Sequence, residues 1–359
     1  MVGAGIFDVA DNRRTEATVV PAGVRWVRGA VASFEPGRNQ VTLEDDSSIG
    51  YHELVVAPGI TLDWAAIDGL PQTLGRNGVT SNSSFETAPY TWQLVQALKG
   101  ATALFTQAPI PIKCAGAPQK AMYLSCDYWQ RASVLKDIDV RFHNAGAVLF
   151  GVAAFVPPLM AHIGRYEVDL TFESTLIAVN DPDRTATLRE KAGEVTRAFD
   201  MIHVTPPQKA PAFLARNPSA NEAGYTDVDQ ATPQHVRHAN KFGLGDGGST
   251  PNAKTMAAAR KQAPVVAENL LAVLAGKTPT AIYNGYGSCP LTVERHKILL
   301  AEFGYGGKLM PSFPGWIIEG TKPQRLSSLL KSEALPWLNR NGMLKGREWM
   351  ARPQQGNAA

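Results

Sequence analysis

The chain has 359 residues, of which 44% are hydrophobic and 19% charged, with a formal net charge of +3 and an isoelectric point near 8.7. That excludes a disordered or fibrous chain, gives length enough for two domains with substantial cores, and is too mildly basic for a nucleic-acid binder. Three cysteines cannot form a disulfide scaffold, so any bridge here is expected to be catalytic rather than architectural.

In chain order, Val24–Phe34 and Asn39–Leu43 read as short strands joined by a Pro36-Gly37 turn. Leu54-Val55-Val56-Ala57-Pro58-Gly59 is a brief apolar strand ending in a small-residue turn. Residues 70–85 are rich in Gly, Pro, Asn and Ser and read as a connection between domains. Tyr90–Leu98 has a helical pattern and Ala101–Thr106 a buried-strand pattern. A loop containing Cys114 follows, and Lys120–Ser133 reads as a helix. Strand, loop and helix in that order open a βαβ unit. Asp139–Asn144, a helix over Pro157–Tyr166 and Glu167–Phe172 continue it as a second doubly wound unit. Near Phe199–Pro207 the chain is expected to return to the first domain. There Lys241–Gly248 ends a strand, and Lys254–Leu274 forms a long Ala-rich helix.

From about residue 310 the composition changes. Trp316, Trp337 and Trp349 lie among leucines and methionines, and Lys322, Arg325, Lys331, Arg340, Lys345, Arg347 and Arg352 outnumber the acids. Aromatic, apolar and basic residues in that mixture suit a membrane interface. No run approaches the ~20 apolar residues of a spanning helix, and no signal peptide is evident at the N-terminus.

The chemistry-bearing residues are Cys114, in Pro111-Ile112-Lys113-Cys114-Ala115-Gly116, and Cys289, in Tyr286-Gly287-Ser288-Cys289-Pro290. Both contexts read as turns that expose a sulfur, and Lys113 is positioned to stabilise a Cys114 thiolate, the reactive form. Cys126 falls in a helical pattern and reads as structural. The Cys114 loop stands where a second doubly wound unit would carry a glycine-rich phosphate loop. Pro109, Pro111 and Pro118 remove backbone donors there, so the loop suits thiol chemistry better than a pyridine nucleotide. Gly245-Asp246, followed by a helix opening near Lys254, suits a flavin: the Asp can accept from a ribityl hydroxyl, and the helix terminus favours negative charge on a reduced ring. Other signals are weaker. Gly3-Ala4-Gly5 has no preceding strand and reads as an ordinary loop. His235 and His238 read as a surface pair, no metal site is expected, and Ser81, Ser83 and Ser84 read as loop.

Several of these segments together resemble the mitochondrial-type sulfide:quinone oxidoreductases, within the FAD-dependent pyridine nucleotide-disulfide oxidoreductase superfamily. They are Ala57-Pro58-Gly59, Phe105 to Lys120 around Cys114, His203-Val204-Thr205-Pro206-Pro207, Phe242 to Asp246, Tyr286 to Leu291 and Ile298 to Phe303. Pro58 stands where that family commonly has Thr. The resemblance implies an α/β protein of two doubly wound FAD/NAD(P)-binding-like domains, the first one incomplete, plus a C-terminal membrane-surface module. The expected division is 1–75 for the first part of the FAD-binding domain, 76–200 for the second Rossmann-like domain, 201–305 for the rest of the FAD-binding domain, and 306–359 for the membrane module.

It further implies that Cys114 and Cys289 are the catalytic pair, holding a bridging or persulfide sulfur beside FAD. Val31, Ala57, Gly59, Gly245, Asp246 and Lys254 are then the cofactor-binding positions, Val31 toward the adenine end. Sulfide, a quinone, a small-molecule sulfur acceptor and a membrane surface are the implied partners, with no nucleic acid. The implied location is peripheral, on a bacterial or mitochondrial inner membrane. Because the family's opening glycine-rich strand–loop–helix has no counterpart here, the chain is expected to be an N-terminally truncated member with Met1 an internal codon. The competing expectations are a non-catalytic remnant unable to hold FAD, and an NADH:quinone oxidoreductase.

Overall fold

A computed structural model describes residues 1–347 and 349–356. Its largest sheet is parallel and five-stranded, in the order Val79–Thr80, Met201–His203, Ala101–Gln107, Ile138–Asn144 and Asp169–Phe172. Ala103, Leu104 and Phe105 in the central strand are fully buried because helices cover one face and an antiparallel sheet the other, which is what a continuous apolar run in a parallel sheet requires. The crossovers are the helices Ala88–Ala97, Ala117–Arg131 and Val156–Arg165, and each has a proline in its first turn, where a missing N–H costs nothing. Met201–His203 pairs with Ala103–Phe105, so the chain leaves this sheet after His203.

A second sheet, Thr175–Asn180, Thr185–Glu190 and Gly193–Ala198, is antiparallel and packs its apolar face on the strand Ala101–Gln107 through Leu104, Ala186 and Leu188. The remaining strands before the cysteine hairpin form a smaller unit. Val31–Glu35, Gln40–Leu43 and Ser48–Gly50 make an antiparallel sheet, and Leu54–Val56 lies parallel to Lys241–Gly243. The expected strand over Val24–Phe34 begins only at Val31. Its partner strand ends at Leu43, opposite Val31; past it the Glu44 amide donates to the Ala30 carbonyl at 2.9 Å, and residues 24–30 stay exposed. After the turn Gly245–Gly247 comes the 19-residue helix Met256–Leu274, capped by Thr255 accepting from the Ala258 amide.

Two further features position the site. Gly287–Glu294 and Lys297–Phe303 form a long antiparallel hairpin whose Leu291, Val293, Leu299 and Ala301 join the core beneath helix Ala117–Arg131. Near the C-terminus, Arg325–Leu329, a π turn at Leu330–Ala334 and Leu335–Asn341 run as one interrupted helix. The π turn sits one residue before Pro336, which cannot donate into a regular ladder. Gln354–Gln355 then pairs with Ala281–Ile282. Among the described residues no helix is long and apolar enough to cross a membrane.

Candidate functional site

Cys114 ends the loop between the strand Ala101–Gln107 and the helix Ala117–Arg131, and its φ of 52° is in the left-handed region. A non-glycine residue adopts that conformation only when neighbours over-determine it. Here the Cys114 amide donates to the Lys254 carbonyl at 2.8 Å, the Ala117 amide donates to the Cys114 carbonyl at 2.6 Å, and the Lys113 amide donates to Gln208 Oε1 at 2.8 Å. The turn aims the sulfur at the hairpin, where Cys289 Sγ lies 2.9 Å away with both cysteines free.

Cys289 differs from its expected setting. It occupies the interior of the strand Gly287–Glu294 opposite Ala301 and is only 1% exposed, because strand alternation turns it to the core face with Leu291 and Val293. Gly116 allows the close approach. A Cβ there would stand 2.1 Å from Leu291 Cδ2 and 2.9 Å from Cys289 Sγ.

The cation beside the pair is Lys120, not Lys113. Lys120 Nζ lies 3.0 Å from Cys114 Sγ and 3.8 Å from Cys289 Sγ, whereas the Lys113 charge acts on Asp246. A helix carries residue 120 back over its own first turn, and residue 113 lies outside it. The hydrogen bond from Cys289 and the Lys120 ammonium outweigh burial and hold the Cys114 thiol well below its ordinary pKa. The start of helix Ala117–Arg131 favours the same charge. Cys289, as the donor to that thiolate and itself buried, is pushed up. Burial opposes the charge on Lys120, but the two sulfurs overcome it and raise its pKa.

Lys331 also belongs here, although its sequence setting placed it on the membrane face. Its ammonium donates to the Pro290 carbonyl at 3.2 Å and Thr292 Oγ1 at 2.9 Å, and burial, reinforced by repulsion from Lys120, lowers its pKa to about 7. Cys126 is fully buried in the core, which pushes its thiol up and leaves it inert.

Cys114 opens onto a cavity of about 820 Å³ whose wall includes Ala57, Gly59, Gly245, Asp246 and Lys254. Gly245 has φ 69° and its amide donates to Gln262 Oε1, which fixes the turn. Gly247 packs so close to Pro58 that a Cβ would lie 2.8 Å from its ring. Lys254 Nζ donates to the carbonyls of Asp246 and Gly248 and sits 3.9 Å from the centre of the Tyr225 ring. Burial lowers the Lys254 pKa to about 8 and raises that of Asp246. The first turn of helix Met256–Leu274 opens into the same cavity through Thr255, Met256 and Ala257. Val31 is not brought to this wall. It lines a second cavity of about 650 Å³ with Glu44, Pro58 and Arg216.

A flat, redox-active ring fits these residues. The wall combines a close backbone approach, amides uncommitted at a helix start, an ammonium and a carboxylate, beside a thiolate.

The other expectations fall elsewhere. His235 is buried, not on the surface: its Nε2 donates to the Ser219 carbonyl at 2.9 Å and its Nδ1 accepts from the Arg237 amide. Gly3 sits in a 3-10 turn against Asn82 rather than a free loop. Ser81, Ser83 and Ser84 form a hydrogen-bonded turn. No group of His, Cys, Asp and Glu among the described residues could hold a metal.

A thiol pair with its own cation, opening from a parallel α/β domain onto a cavity shared with a second α/β unit, is an arrangement able to carry out two-electron redox chemistry, and the α/β fold is that of the dinucleotide-binding oxidoreductases. No family model matches the chain. It is 35% identical over 350 residues to the mitochondrial sulfide:quinone oxidoreductase of Mus musculus, covering 96% of this chain and 77% of that protein. The chain belongs to the sulfide:quinone oxidoreductase family of flavoprotein enzymes. The fold recurs in a chain of the Tetrahymena thermophila mitochondrial ATP synthase structure, with TM-score 0.76, 20% identity, and coverage of 98% and 85%. It recurs too in the sulfide:quinone oxidoreductase of Aquifex aeolicus, with TM-score 0.66, 16% identity, and coverage of 92% and 81%.

Proposed function

We propose that this chain oxidises sulfide at Cys114 and Cys289 and passes the electrons through FAD to a membrane quinone. The observation that carries the reading is the pair of sulfurs 2.9 Å apart with the Lys120 ammonium 3.0 Å from Cys114, and Cys114 itself on the wall of a cavity that reaches the C-terminal module. With the pair oxidised, hydrosulfide attacks the Cys289 sulfur. A new S–S bond forms at Cys289, the Cys114–Cys289 bond breaks, and Cys114 leaves as the thiolate that Lys120 stabilises. The better-stabilised thiolate is the better leaving group, and this assigns the persulfide to Cys289. A small nucleophile then takes the outer sulfur.

What FAD supplies when bound is two-electron transfer between the Cys114 side of the cavity and a quinone. Ala57, Gly59, Gly245, Asp246 and Lys254 would hold its ring and ribityl portion, with Val31 beside the adenine end. The far wall is built from Leu330, Leu335, Leu338 and Met343, and Trp316 and Leu329 nearby in sequence are 86% and 60% exposed. An apolar chamber opening beside exposed aromatic and aliphatic side chains suits a lipid-dissolved acceptor and a peripheral position on a bacterial or mitochondrial inner membrane. The proline-bearing Cys114 loop and the family membership favour this reading over an NADH:quinone reaction.

The test is sulfide-dependent reduction of decylubiquinone by the parent and by Cys114→Ser and Cys289→Ser, with bound flavin measured in each. Loss of turnover in both variants at unchanged flavin content supports the pair; undiminished turnover in either refutes it.

A further inference from the structure

Resting on that reading, we propose that Tyr286, Glu302 and Ser312 form the route by which a proton reaches the quinone. Conversion of a quinone to a quinol takes up two electrons and two protons, and the apolar end of the cavity holds few groups able to supply them. Among the described residues two acids line the cavity, Asp246 and Glu302. Asp246 stands beside Lys254 and Lys113. Glu302 stands on the hairpin, directly across from Ser288, on the face that presents Pro290 and Leu300 to the cavity.

The three side chains are already joined. Tyr286 Oη donates to Glu302 Oε1 at 2.5 Å, the Ser312 amide donates to Glu302 Oε2 at 3.1 Å, and the Ser312 hydroxyl donates to Oε1. The Tyr286 and Ser312 oxygens are 3.2 Å apart. Glu302 is 6% exposed and Ser312 is exposed, so the chain of oxygens runs from solvent to the cavity wall. Helix Met256–Leu274 packs its positive side chains on the same place. Lys261 Nζ lies 5.4 Å from the Tyr286 ring centre, and Arg260 lines the cavity, which balances a carboxylate held away from water.

In the reaction the Tyr286 O–H bond breaks as an O–H bond forms on the quinone oxygen facing the hairpin. Glu302, charged with a proton from water by way of Ser312, restores the phenol. FAD, when bound, would supply the two electrons, and the second quinone oxygen takes its proton from water at the cavity mouth.

The two half-reactions separate this proposal from the one it rests on. In stopped flow, sulfide first bleaches the flavin and decylubiquinone then restores it. Absence of bleaching in the parent overturns the sulfide reading itself. If bleaching is intact, Glu302→Gln and Ser312→Ala should slow reoxidation at saturating quinone by about a hundredfold or more, within the ~10²–10⁴ range of a lost acid–base group, and leave bleaching within about twofold. A small carboxylic acid such as acetate should restore reoxidation in Glu302→Ala, which no purely structural loss would allow. In the flavin-free protein, quenching of tryptophan fluorescence by decylubiquinone should show about two- to tenfold weaker binding for Tyr286→Phe, the worth of one hydrogen bond. Reoxidation at the parent rate in Glu302→Gln, or slowing that acetate does not relieve, overturns the route.

Discussion

Replacing Lys120 by methionine keeps the buried stem and removes only the charge, so it isolates what the ammonium does to Cys114. At 3.0 Å the contact is a charge-assisted hydrogen bond, of a kind worth about 1.5–3 kcal/mol. Since 1.4 kcal/mol is about a factor of ten, the loss should lower the Cys114 thiolate population, at a pH below its inflection, by about ten- to a hundredfold and move the inflection up. The sign follows from the charges: the cation favours the thiolate, so its removal favours the thiol. Cys289 still donates to Cys114 in the variant, and Lys331 still adds positive charge, so part of the depression should survive. The assay is the rate of Cys114 alkylation by iodoacetamide against pH, mapped by peptide mass, with buried Cys126 as the unreactive internal control. An inflection that stays where the parent has it would mean that Lys120 is a packing residue, and the leaving-group assignment of Cys114 would lose its basis.

Two further outcomes test the surroundings of the pair. The Lys331 pKa is lowered from 10.5 to about 7 mainly by burial, so the folded protein binds fewer protons than the unfolded one between those values, and stability should rise with pH across that window. Lys331→Met should flatten that rise in urea titrations made between pH 7 and pH 10; an unchanged slope would show that another group carries it. Gly116→Ala should cost about 1–3 kcal/mol through overpacking against Leu291, and should raise the Cys114 alkylation pKa by moving the hairpin sulfur away; denaturant midpoints and the alkylation profile give both readings.

Much of the architecture was legible because each central element announces itself locally. Ala101–Gln107 is a buried apolar run, Ala117–Arg131 begins with a proline in its first turn, and Met256–Leu274 is long and Ala-rich behind a threonine cap. The hairpin Gly287–Glu294 was misread at its start, since Gly287, Ser288 and Pro290 look like a turn when their partner strand is unknown. For the same reason Cys289 looked exposed. Lys113 was preferred to Lys120 as adjacent to the cysteine in sequence, but the helix brings residue 120 over its own first turn. Lys331 was less accessible still: it sits among the basic residues of the C-terminal segment, and only the packing of that segment on the hairpin brings it to the sulfurs. Glu302 did leave a trace, as an acid inside the apolar run Ile298 to Phe303.

The hairpin turns one face to the protein core and the other to the cavity. One face of the ribbon, with Cys289, Leu291 and Val293, is sealed into the protein interior; the other, with Ser288, Pro290, Leu300 and Glu302, looks into the chamber proposed for the quinone. Because the alternation has a period of two, slipping the strand by a single residue would turn the sulfur out toward the chamber and press Ser288 and Pro290 against helix Ala117–Arg131. Because the turn at Arg295-His296 fixes the register, a one-residue insertion between Cys289 and Glu294 would thus carry Cys289 to the opposite face of a hairpin that still pairs. Such a protein would lose the 2.9 Å contact between Cys289 and Cys114 while most of the sheet remained intact.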